Sequence, residues 1–124
     1  MDTKRGDWED FNRRWLAAWS AKDVPALLGF YAEDVAYFDP QVPNGVHGSE
    51  ALGAYLTGLF AATPPMRYDP DQVWATDTGF CGRWYCVMGD DPKAAPAMRG
   101  FDLCVIKDGR IALNEVYVHP LTAA

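Results

Sequence analysis

The chain has 124 residues, the length of one domain, and its 49% hydrophobic and 23% charged content is that of a folded globular protein, not a disordered one. Seventeen acidic residues against eleven Lys and Arg give a net charge of −6, which repels nucleic acid and anionic membrane surfaces. Three cysteines (Cys81, Cys86, Cys104) without a C-x-x-C pair do not make a disulfide framework, and the start, MDTKRGDWED, lacks the apolar run of a signal peptide. No segment approaches the ~20 apolar residues of a membrane span. The expectation is a single soluble cytoplasmic domain over residues 1–124.

From Asp7 to Ala21, the apolar residues Trp8, Phe11, Trp15 and Trp19 recur at the spacing of an amphipathic helix, with Asp7 as N-cap and Glu9 and Asp10 complementing the dipole. A second helix is predicted from Asp23 as cap, with Pro25 in its first turn. It carries Leu27, Leu28 and Tyr31 and ends at Ala32-Glu33-Asp34. Val35–Asp39 reads as a short strand closed by Pro40. A third helix begins near Ser49, presents Leu52, Tyr55, Leu56, Leu59 and Phe60 on one face, and stops at Thr63-Pro64-Pro65. Four β-branched or aromatic runs follow: Gln72–Thr76, Phe80–Met88, Met98–Lys107 and Arg110–His119. Asp108-Gly109 between the last two is a hairpin signal. Helices first and strands afterwards predict an α+β fold, with helices on one face of a curved, mainly antiparallel sheet.

The chain holds no G-x-G-x-x-G, Walker loop or G-x-S-x-G elbow, so nucleotide-cofactor and hydrolase readings have no support. His47 and His119 are far apart and form no ligand-spaced pair, which argues against a metal site. The cysteines lie in apolar strands, where buried inert thiols are usual. Two carboxylates stand out. Asp39 ends Tyr37-Phe38-Asp39-Pro40, where an Asx turn is the bland reading. Asp102 interrupts the apolar run Phe101–Ile106, where the bland reading is an exposed face of an edge strand; buried without a partner, it is costly. A buried carboxyl stays protonated near neutrality and donates a hydrogen bond, whereas a solvated one stays ionised and accepts a proton. Two acids in unlike surroundings are what enolisation of a carbonyl compound needs.

Trp15-Leu16-Ala17-Ala18-Trp19, Lys22-Asp23, Leu27 to Val35, Asp39-Pro40 and His47-Gly48 resemble the N-terminal half of the nuclear transport factor 2-like superfamily, in the pattern of ketosteroid isomerases and SnoaL-like polyketide cyclases. Phe101-Asp102 and Asp108-Gly109-Arg110-Ile111 resemble their last hairpin. The resemblance implies a cone-shaped α+β fold with three N-terminal helices on a curved sheet, an enclosed apolar pocket and a homodimer. It implies Asp39 as general base and Asp102 as the protonated aspartate of an oxyanion hole. Trp15 takes the place of the family's oxyanion-hole tyrosine, and an indole N–H donates one hydrogen bond but is no acid. The substrate-binding set it implies is Trp15, Tyr55 and Leu56 with Asn114, Val116 and Val118 of the last strand.

The leading function is a cofactor-independent enzyme that abstracts a proton α to a carbonyl of a small hydrophobic substrate, as an isomerase or cyclase does. Two alternatives stand beside it. One is epoxide opening, for which Arg99 and Asp102 resemble the Arg/Asp pair of limonene epoxide hydrolases, with His119 where a second aspartate is expected. The other is ligand binding without catalysis.

Overall fold

A computed structural model describes residues 3–121, with side chains from residue 6 onward. Helix α1 (Thr3–Ala21) starts before the expected cap, so Asp7 lies within it. It ends where Lys22 turns to a positive φ of 55°. The Lys22 ammonium donates to the carbonyls of Phe60, Thr63 and Pro64 at 2.8–3.2 Å and to the Thr63 hydroxyl at 2.9 Å. Those carbonyls belong to the end of helix α3 (Ser49–Ala62) and the segment after it. The cation therefore serves orphan C-terminal acceptors and pins the two helices together.

Helix α2 (Val24–Phe30) is capped by Asp23, whose Oδ1 accepts from the Ala26 N–H at 3.1 Å, as the sequence predicts. It is shorter than expected. Strand β1 runs Tyr31–Asp39, so Tyr31 to Asp34 are extended rather than helical. The reason is tertiary: Tyr31 is fully buried, pairs with Ile111, and donates its hydroxyl to Asn114 at 2.9 Å. Strand β2 (Val42–His47) occupies a stretch to which the sequence pattern assigns no element. It is a short edge strand that tolerates Pro43 and Gly45. Strand β3 (Met66–Ala75) extends the predicted run backwards across a bulge at Pro70–Gln72. Strands β4 (Gly79–Met88), β5 (Met98–Lys107) and β6 (Arg110–Pro120) agree with expectation to within a residue. Asp108 and Gly109 both have positive φ, 54° and 78°, as a two-residue type I′ hairpin turn requires.

The sheet order is β2-β1-β6-β5-β4-β3, antiparallel except for the β1–β6 pair. The helices pack on this curved, unclosed sheet. Phe80, Ile111, Val35, Leu27, Leu52 and Leu56 belong to the buried core. Trp15, Leu16, Trp19, Tyr37 and Trp84 belong to the same core and line a hollow. No helix among the described residues is long and apolar enough to cross a membrane.

Candidate functional site

The hollow is a cavity of about 410 Å³. Trp15, Trp19, Phe60, Tyr68 and Trp84 supply an aromatic wall, with Trp19 against Phe60 (5.5 Å between centroids) and Tyr68 (5.7 Å), and Tyr68 against Trp84 (5.1 Å). Met66, Met88 and Met98 also line it, from three adjacent strands; Met66 and Met88 are cross-strand partners. Asp39 and Asp102 both line this cavity, from different strands, and no Lys, Arg or His among the described residues does.

Asp102 is 2% exposed, inside the sheet's concave face rather than on an edge. Strand alternation puts it on the face of Met98 and Cys104. Its Oδ2 accepts from the Trp84 indole N–H at 2.8 Å, and its Oδ1 from the Asn114 amide at 3.4 Å. Asn114 is in turn fixed by Tyr31. Gly100, directly across from Trp84, makes room for this indole: a Cβ there would lie 2.0 Å from the ring. Burial pushes the Asp102 carboxyl up to about 7, against the opposing pull of the Trp84 and Asn114 hydrogen bonds. Near neutral pH the group is thus divided between acid and carboxylate.

Asp39 has a different setting. Its Oδ1 accepts from the backbone N–H groups of Gln41 (2.8 Å) and Val42 (3.1 Å), the turn that an Asp before Pro favours. Its Oδ2 accepts from the hydroxyls of Tyr37 (2.8 Å) and Tyr55 (2.7 Å). Burial, first, and then the neighbouring Tyr31 and Asp39 hold the Tyr37 hydroxyl well above its ordinary value; burial and the bond to Asp39 do the same for Tyr55. Asp39 is half-buried at the end of its strand, and its oxygens meet hydroxyls and a turn as well as the open hollow.

The Trp15 ring lines the cavity, but its Nε1 is buried without a hydrogen-bond partner. The Tyr31 hydroxyl is near enough to feel it without meeting hydrogen-bond geometry. The indole N–H is therefore not presented to a molecule in the cavity. Val116 and Val118 line the cavity; Tyr55, Leu56 and Asn114 do not. Leu56 is in the filled core, Asn114 lies behind Asp102, and Tyr55 reaches the site only through Asp39. Arg99 and His119 touch each other at 2.8 Å and neither lines the cavity. Sequence reasoning missed Tyr37 and Trp84. Tyr37 had a signal, since residues two apart in a strand share a face, and Asp39 follows it by two.

A curved sheet wrapped with three helices around an apolar cavity is the nuclear transport factor 2-like fold. The chain belongs to the SnoaL-like family: residues 12–114 match the SnoaL-like domain. A SnoaL-like protein of unknown function from Burkholderia thailandensis superposes with a TM-score of 0.73 at 19% identity, covering 93% of this chain and 95% of its own. A protein of Agrobacterium tumefaciens, provisionally named an isomerase of the SnoaL-like family, gives 0.74 at 17% identity, covering 90% and 97%. One of Sinorhizobium meliloti, provisionally named a polyketide cyclase, gives 0.70 at 20% identity, covering 86% and 93%. The comparison with curated proteins finds no match.

Proposed function

We propose that the protein is a cofactor-independent acid–base enzyme acting on a small hydrophobic carbonyl compound bound in the aromatic cavity. The observation that carries this reading is the pair of carboxyls on one cavity, one of them pushed up to about 7 by burial. Asp39 takes the proton: the α C–H bond breaks, its electron pair moves into the carbonyl, and the enolate oxygen is stabilised by the neutral Asp102. Returning the proton to another carbon completes an isomerisation; attack of the enolate carbon on a second carbonyl within the substrate forms a ring. The absence of a cation from the described lining suits an uncharged substrate, since a carboxylate would be repelled by Asp39. The provisional isomerase and cyclase names of two structural neighbours are in keeping with this chemistry.

One observation favours the second reading, binding without catalysis. The two oxygens of Asp39 already accept four hydrogen bonds, the full complement of a carboxylate. Epoxide opening has less support, because Arg99 and His119 lie outside the cavity lining. We also propose a homodimer through the outer sheet face, where Trp74 (41% exposed), Phe101 (40%) and Tyr117 (59%) leave apolar surface open.

The deciding measurement is exchange of α-protons into heavy water for a panel of small cyclic ketones. Wild type is expected to catalyse exchange and Asp39→Asn to abolish it while still quenching tryptophan fluorescence on binding. Exchange that persists in Asp39→Asn refutes Asp39 as base. Binding without exchange in wild type selects the second reading.

A further inference from the structure

The four hydrogen bonds on Asp39 raise a chemical problem for a base. A carboxylate has about four lone-pair sites, and a proton can enter only where a donor leaves. Two of the donors are the backbone N–H groups of Gln41 and Val42, held by the turn that follows β1. A third, the Tyr37 hydroxyl, belongs to a side chain 1% exposed and locked among the rings of Trp19, Tyr31 and Tyr55. The fourth, Tyr55, is only half-buried, comes from α3 rather than the sheet, and is absent from the cavity lining. Of the four, it is the donor that can move without disturbing the strand or the aromatic wall.

We infer that Tyr55 is a positioning residue that masks Asp39, so that proton abstraction requires the Tyr55 hydroxyl to leave Asp39 Oδ2. This rests on the reading of Asp39 as the base. The bond that breaks is the hydrogen bond from the Tyr55 hydroxyl to Oδ2; Oδ2 then keeps only the hydroxyl of Tyr37, which like Asp39 lines the cavity, and has capacity for the α-proton, while the phenol of Tyr55 keeps its own proton throughout. The tyrosine does not act as the acid or the base. Its hydroxyl is held far above its ordinary value by burial and by Asp39 itself, so it stays protonated at any working pH. Tyr37 on β1, Tyr55 on α3 and Tyr68 on β3 are the titratable groups that sense Asp39, and none of them is basic. No ion pair from a Lys or Arg competes with the hydroxyls for the carboxylate among the described residues.

The consequence runs against the usual result of deleting a site hydroxyl. Tyr55→Phe keeps the ring that packs on Tyr37 at 5.9 Å between centroids and removes one donor from Oδ2. A carboxylate that loses a donor holds a proton more tightly, and a stronger base abstracts faster once it is ionised. Tyr55→Phe is therefore expected to exchange α-protons about three- to tenfold faster than wild type at pH 6, where Asp102 keeps its proton, with the acid limb of its pH profile displaced upward. Loss of exchange with the limb unmoved would mean that Tyr55 only supports the fold, and would overturn the inference. A second readout does not depend on activity. The carboxyl carbon of Asp39, followed by NMR, is expected to take up its proton at higher pH in Tyr55→Phe, and coincident titrations would overturn the mask. Absence of exchange in wild type with displaced NMR titrations leaves the mask in place and removes only the catalytic reading. Melting curves of the two proteins that superpose exclude misfolding as the source of either difference.

Discussion

Replacing Asp102 by asparagine removes the deeply buried carboxyl of the cavity with little change in shape, and its effect should depend on pH in a calculable way. In the folded chain this group holds its proton to about pH 7, against an ordinary value of 3.8. The gap of about three units, at about 1.4 kcal/mol per unit, corresponds to about 4 kcal/mol. Between those two pH values the folded chain binds more protons than the unfolded one, so stability falls as pH rises and levels off above about 7. From pH 5 to pH 8 the wild type is expected to lose about 3 kcal/mol through this group alone. The amide of Asp102→Asn does not titrate, but it leaves either Trp84 or Asn114 without its acceptor, at about 1–3 kcal/mol. The variant should then be close to wild type at pH 5 and more stable by about 1–3 kcal/mol at pH 8. The assay is urea unfolding followed by tryptophan fluorescence at each pH, at one protein concentration so that any association cancels. All other titrating groups are common to both proteins. Parallel stability curves would refute the argument, for they would mean that Asp102 is ionised in the folded chain throughout.

Two further outcomes are expected. Trp84→Phe deletes the hydrogen bond that pulls Asp102 downward, so its carboxyl carbon should titrate above about 7 by NMR; an unmoved or lowered midpoint would show that the 2.8 Å contact does not favour the charged form. Light scattering at high micromolar concentration should give twice the 13.8 kDa chain mass, and Phe101→Glu, in contact with Trp74 on the outer face, should return it to one; a monomeric wild type would refute the outer-face dimer.

Helices α1 and α3 and strands β4 to β6 are legible in the sequence because their burial is periodic and their ends carry local signals. The failures have a different origin. Tyr31 lies four residues after Leu27, so it continues the apolar face of α2 as readily as it opens β1. What decides between them is its hydrogen bond to a residue 83 positions away and its burial against Trp15, neither of which is local. Strand β2 was hidden by Pro43 and Gly45, residues that signal a turn and that only an edge strand tolerates.

The same distinction explains how far the candidate site could be read. Asp102 was visible because its oddity is local: an acid in an apolar run. Its means of support were not visible, because Trp84 and Asn114 come from the strands on either side, and Trp84 reaches it only where Gly100 vacates the space between. For Asp39 the sequence offered a turn residue and a base as alternatives. In the structure the two oxygens separate these roles, Oδ1 closing the turn and Oδ2 facing the two tyrosines. Two donors against complete burial leave Asp102 able to keep its proton near neutrality, and four donors leave Asp39 no free lone pair until one of them departs. The unlike chemistry of the two acids therefore arises from how deeply each is buried and from how many donors the fold brings to it, quantities set by strand register and helix placement rather than by neighbours in the chain.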